Sequence, residues 1–209
     1  MSFAFVFPGQ GSQSVGMMAA YGDSAIVRAT FDEASVALGD DLWSMVAEGP
    51  AEVLTQTVNT QPVMLTAGIA AWRLWQEKGG RMPVVVAGHS LGEYSALVAA
   101  GVISFKDAVP LVRFRAQAMQ NAVPVGTGGM AAILGLDDAT VIKVCAEASA
   151  ASGGVVEAVN FNAPGQVVIA GASDAVTKAC ELLKAAGAKR ALPLPVSAPF
   201  HSSLLQPAS

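Results

Sequence analysis

Three residue types in this chain could combine into a nucleophilic site: a serine in a Gly-x-Ser-x-Gly run, a histidine to take its proton, and an arginine in a sequence poor in charge. The run is Gly88-His89-Ser90-Leu91-Gly92, preceded by the apolar stretch Val84 to Ala87 and followed by alanine-rich sequence with helical spacing. A strand that ends, and a helix that begins, at such a serine forms a nucleophile elbow, a strained turn that lifts the hydroxyl clear of the backbone. Glycine at 88 and 92 permits close approach of strand and helix, which a Cβ would crowd. The Leu91 N–H, in the first helical turn, points where an oxyanion would develop, with the positive end of the helix dipole behind it. In a chain with 21 glycines a chance match is the competing account. The flanking strand and helix favour the elbow.

A serine nucleophile needs a base, and the chain has only two histidines. His89 adjoins Ser90, which at a tight turn sends its side chain the other way, so it is read as supporting the elbow. His201 is the base by elimination, set in a Pro- and Ser-rich loop; the alternative is a lone surface imidazole. No Asp or Glu follows His201, and Asp137, Asp138 and Asp174 read as helix starts. Either a main-chain carbonyl orients the imidazole or the orienting group lies beyond Ser209. Arg113 and Arg115 lie two apart on one helix and so on different faces. One should face solvent, and the other could meet an anionic group with its bidentate fork. Spacing alone favours an ordinary solvated arginine at both.

These residues are positioned by alternating strands and helices. Phe3 to Phe7 reads as a strand ending at Pro8-Gly9, followed by the polar loop Gln10 to Gln13. Helical spacing runs through Ser24 to Leu38 and Pro62 to Lys78, with Pro62 suited to a first helical position. The strand before Ser90, the helix after it and a helix from Ser104 to Asn121 complete a βα-rich part, which implies a parallel sheet. Beyond the loop Val123 to Gly129 the order is strand (130–134), helix (137–150), strand (155–160), strand (166–170), helix (173–186), strand (190–194), with Asp137 and Ser173 as N-caps and Gly187 as a stop. This βαββαβ order is ferredoxin-like. The expected class is α/β: a large α/β-hydrolase-like parallel-sheet domain at 1–125 and 197–209, with a ferredoxin-like subdomain inserted at 126–196.

The 209 residues are 53% hydrophobic and 13% charged, which fits a sheet covered on both faces. Twelve basic against sixteen acidic residues, with no Lys/Arg block, argue against a nucleic-acid or anionic-membrane partner. No apolar stretch approaches the roughly 18 residues needed to span a bilayer, and the N-terminus lacks the basic start of a signal peptide, so a cytoplasmic location is expected. Cys145 and Cys180, without ligand-spaced partners, read as reduced core thiols, and no metal or other cofactor is expected.

FPGQGSQ near the start, GHSLGEYSAL at the elbow, RAQAMQ on the helix, and the pair NFNAPGQVVIAG and PVSAPFHS together resemble the malonyl-CoA:acyl carrier protein transacylases and the related acyltransferase domains of fatty-acid and polyketide synthases. The resemblance implies transfer of a malonyl group from coenzyme A to the phosphopantetheine thiol of acyl carrier protein by a ping-pong route, in fatty-acid biosynthesis or, alternatively, polyketide synthesis. It matches Ser90 to the acyl-accepting serine and His201 to its base, and Gln10 with Leu91 to the oxyanion hole. Arg115 matches the arginine that pairs with the malonate carboxylate, reversing the reading from spacing. Gln61 matches a glutamine lining the acyl pocket, Asn160 and Asn162 match asparagines near the entrance, and Phe200 matches the phenylalanine of malonyl-selective members. Members continue past the position of Ser209, so the resemblance implies a large domain incomplete at its C-terminus. The implied partners are malonyl-CoA and the carrier protein, with the chain as a monomer. A serine esterase or thioesterase, in which nothing calls for Arg115, and a silent acyl-binding module are the competing readings.

Overall fold

The computed structural model describes residues 2–124, 126–196 and 198–208. It divides into two compact units, residues 1–117 and 118–209. The expected domain limits at Val125 and Ser197 lie outside the described residues.

In the first unit, β1 (Ala4–Phe7) and β2 (Val85–Gly88) form a parallel pair with Phe7 opposite Gly88. Both strands therefore deliver their following loops to the same end, the carboxyl end where open α/β sheets place ligands. Helices α1 (Ala25–Leu38), α2 (Leu42–Ala47), α3 (Ala51–Leu54), α4 (Thr57–Glu77), α5 (Gly92–Ala99) and α6 (Phe105–Asn121) follow in chain order, α6 continuing into the second unit. One apolar core joins Phe31, Leu42, Leu65, Ile69 and Val109. A smaller one packs Phe7 of β1 on Trp72 and Ala96.

Helix α4 begins at Thr57, five residues before the expected start at Pro62, which lies inside it. The missing proline N–H weakens that early turn. Polar side chains of the first turn compensate: Asn59 Nδ2 donates to Val53 O (3.0 Å) and Thr60 Oγ1 to Leu54 O (2.6 Å). Helices α2 and α3 had no counterpart in the periodicity, being too short to show one.

The second unit carries β3 (Gly128–Leu134), α7 (Asp138–Ser152), β4 (Val156–Ala163), β5 (Gln166–Ala172), α8 (Ser173–Ala185) and β6 (Arg190–Pro193). The sheet order β4-β5-β3-β6, antiparallel throughout, is the ferredoxin-like arrangement expected from the sequence. Asp137 caps α7, its Oδ1 accepting from Thr140 N at 2.9 Å. Ser173, expected as a cap, is instead the first helical residue, and its hydroxyl donates to Gly126 O at 3.1 Å. Strand alternation gives this sheet two apolar faces. Val167 and Ile169 of β5 pack with Cys145, Val176 and Leu183 on the helical face. Val168 and Ala170 pack on the other face with Met119, Met130, Ala198, Phe200 and Leu205. The segment 198–208 was expected to rejoin the parallel-sheet domain; it clusters with the second unit, because Phe200 and Leu205 cover the sheet face that α7 and α8 leave bare. Cys145 and Cys180 are free and buried, and burial pushes the Cys145 thiol up to about 12. Among the described residues no helix is long and apolar enough to cross a membrane.

Candidate active site

The turn from β2 into α5 holds Ser90 at φ +51°, and Ser90 and His201 are the only non-glycine residues with positive φ among those described. A left-handed conformation costs a serine free energy and persists only where the surroundings impose it. Here three glycines impose it. A Cβ on Gly88 would lie 1.9 Å from the backbone C and O of Gly92, one on Gly92 would lie 2.2 Å from Phe7 O, and one on Gly9 would lie 2.6 Å from His89 O. The β1 loop, the elbow and the start of α5 thus touch backbone to backbone. His89 N donates to Phe7 O at 3.1 Å and His89 O accepts from Gly92 N at 2.9 Å. His89 therefore belongs to the scaffold of the turn.

Leu91 is 1% exposed, its side chain anchoring the elbow in the core. Gln10 leaves the end of β1, and its Nε2 donates to Thr57 Oγ1 (3.1 Å) at the first residue of α4. Among the described residues neither the Leu91 N–H nor the Gln10 N–H has a hydrogen-bond acceptor. Two main-chain donors thus follow, three residues on, the ends of neighbouring parallel strands.

The structure separates the two arginines of α6. Arg113 Nη2 is 2.7 Å from Asp40 Oδ2, a partly buried ion pair. Arg115 Nη1 donates to Gln61 Oε1 (2.8 Å), its Nη2 donates to Ser90 Oγ (3.3 Å), and its guanidinium carbon lies 5.5 Å from the centre of the Tyr94 ring. Gln61, on α4, is 1% exposed. No carboxylate pairs with Arg115 among the described residues. Burial lowers its pKa, an effect opposed by Tyr94 and Glu93; arginine nevertheless stays charged in proteins. A partly buried cation whose partners are a neutral amide, a hydroxyl and an aromatic face has the chemistry to meet an anion. Tyr94 carried no expected role. Its signal was its place four residues after Ser90, one helical turn along α5.

Ser90, Arg115, Gln61 and Tyr94 meet in the first unit, with Gln10 and Leu91 at the adjoining strand ends. The second unit holds His201, Phe200, Asn160 and Asn162. His201 is exposed at φ +68° between two buried neighbours, Phe200 (7%) and Ser202 (5%). Phe200 packs with Met130, Val168 and Ala170, and Ser202 Oγ donates to Pro199 O at 2.8 Å. Asn160 and Asn162 lie on β4, between Ala158 and Ala163 where the pairing with β5 shifts register.

Residues 4–209 match the acyl transferase domain family. The chain is 63% identical over 208 residues to the malonyl CoA-acyl carrier protein transacylase of Salmonella typhimurium, covering 99% of this chain and 67% of that protein. Its structure matches that of the acyl-carrier-protein S-malonyltransferase of Burkholderia pseudomallei with a TM-score of 0.96 at 72% identity, covering all of this chain and 67% of that one. It also matches a malonyl-transacylase solved in complex with a type II PKS acyl-carrier protein, with a TM-score of 0.96 at 56% identity and the same coverage. With the strained elbow at Ser90, these likenesses show that the chain belongs to the acyl transferase domain family, among its malonyl CoA-acyl carrier protein transacylases.

Proposed function

We propose that this chain transfers malonyl groups from coenzyme A to the phosphopantetheine thiol of acyl carrier protein through a malonyl-Ser90 ester, in fatty-acid biosynthesis in the cytoplasm. Ser90 Oγ attacks the thioester carbonyl while His201 takes the hydroxyl proton. The tetrahedral oxyanion is held by the Leu91 and Gln10 N–H groups. As it collapses the C–S bond breaks, and His201 returns the proton to the coenzyme A sulfur. Attack of the carrier thiol on the ester runs the same steps in reverse, with His201 taking the thiol proton and returning one to Ser90. Asn160 and Asn162 line the approach of the substrates, and Phe200 limits the acyl α-carbon while its packing anchors the histidine's backbone.

The observation that carries this reading is the bridge made by Arg115 between Gln61 and Ser90 Oγ, with no carboxylate paired to it among the described residues. In a malonyl-serine ester the free carboxylate carbon stands three bonds beyond Oγ, so a guanidinium already at Oγ reaches it without reorganising α6. An acetyl ester would leave that cation unpaired, which selects for the dicarboxylic acyl group. A plain esterase has no use for such a cation. Intact-protein mass spectrometry after mixing with malonyl-CoA tests the proposal. A malonyl adduct on the wild type and none on Ser90→Ala is expected; an adduct that persists on Ser90→Ala overturns it.

A further inference from the structure

We propose that Glu157 is a positioning residue for His201, acting through the main chain; this rests on the reading of His201 as the base. Glu157 lies on β4, where Val156 and Ala158 belong to the helical side of the sheet. Alternation turns Glu157 and Val159 to the opposite face, the one covered by 198–208. There Glu157 Oε2 accepts a hydrogen bond of 2.7 Å from Ser203 N, two residues beyond His201, where the 3-10 helix Ser203–Ala208 begins. A carboxylate on the first free N–H of a helical turn is a charge-assisted bond, stronger than one to a neutral acceptor.

His201 sits in a left-handed conformation uncommon for any residue with a side chain, and its neighbours hold it there. On the N-terminal side Phe200 is buried, and Phe200 N donates to Ala198 O at 3.0 Å. In the centre Ser202 N and Oγ both donate to Pro199 O, at 3.2 and 2.8 Å. On the C-terminal side Glu157, forty-six positions away in sequence, ties Ser203 to the sheet. Removing it frees the main chain next to the imidazole while leaving the buried anchors in place. A small displacement of a reacting group costs up to about 10² in rate.

The test is single-turnover acylation of Ser90 by malonyl-CoA in the wild type, Glu157→Ala, Glu157→Gln, His201→Ala and the Glu157→Ala/His201→Ala double variant, with thermal melts of each. Glu157→Ala should slow acylation about ten- to hundredfold at an unchanged half-saturating malonyl-CoA concentration. Glu157→Gln, which keeps an acceptor oxygen, should recover most of the rate. In the His201→Ala background Glu157→Ala should have no further effect, since the group it positions is gone. An unchanged rate in Glu157→Ala, equal slowing by Gln and Ala, or the same slowing with and without His201 would each overturn the proposal. A wild-type rate in His201→Ala overturns the base assignment itself, and does so without reference to Glu157. Glu157→Thr, a good strand former, replaces the alanine variant if that one does not fold.

Discussion

Ser90 and His201, the two left-handed side-chain-bearing residues among those described, are held by different means. At Ser90 the conformation is imposed by backbone against backbone: Gly9, Gly88 and Gly92 let strand, loop and helix close to distances that leave no room for a Cβ. At His201 it is held by side chains, with Phe200 and Leu205 buried in the sheet face, Ser202 bonded to Pro199 and Glu157 bonded to Ser203. The first device needs glycine at fixed spacing and writes a motif. The second also needs partners distant in sequence, Glu157 and the sheet face, which no local pattern registers. The elbow should therefore fail abruptly under small changes, and the histidine loop by degrees.

The largest effect expected is from Ser90→Ala, which should abolish the covalent intermediate with the melting temperature unchanged, by mass spectrometry and calorimetry. A retained adduct would move the nucleophile elsewhere. His201→Ala should slow acylation by about 10² to 10⁴ for loss of the base; rates near wild type would assign its role to another group.

Arg115→Ala should lower kcat/KM for malonyl-CoA by about 30-fold to several thousandfold, the equivalent of roughly 2 to 5 kcal/mol for stranding a carboxylate in a partly buried site. Acetyl transfer should be unchanged or faster. Equal losses with both acyl groups would make Arg115 structural.

The contrast between the two turns is sharpened by Gly88→Ala and Ser202→Ala. The first forces a Cβ into the Gly92 backbone; we expect a loss of roughly 1 to 3 kcal/mol in denaturant melts and about 10² in acylation rate. Ser202→Ala removes one hydrogen bond and should cost only about 1 kcal/mol and a modest fraction of the rate. A larger effect at Ser202 than at Gly88 would invert the comparison.

Much of this was legible in the residues themselves. The strand, glycines and helix around Ser90 form one local motif, and the βαββαβ order of the second unit follows from period-2 and period-3.6 patterns within short windows. Asp137 was readable as a cap because its partner is three residues away. The start of α4 was misread because its stabilising bonds run from Asn59 and Thr60 back to α3, which periodicity does not register.

Which arginine serves the elbow could not follow from spacing: the resemblance named Arg115, and the structure supplies the physical reason. Asp40 occupies Arg113, while Gln61, fifty-four positions away, turns Arg115 toward Ser90. The sequence by itself determined the strained serine, the Leu91 N–H beside it and the order of strands and helices in the second unit, because each depends on residues a few positions apart. Tertiary structure alone decided that Arg115 bonds Gln61 and Ser90, with no carboxylate partner among the described residues, that Tyr94 lies by its guanidinium, and that Glu157 and a bare sheet face anchor the histidine loop. Those are contacts between distant segments, set by how helices and strands pack rather than by what any one of them is.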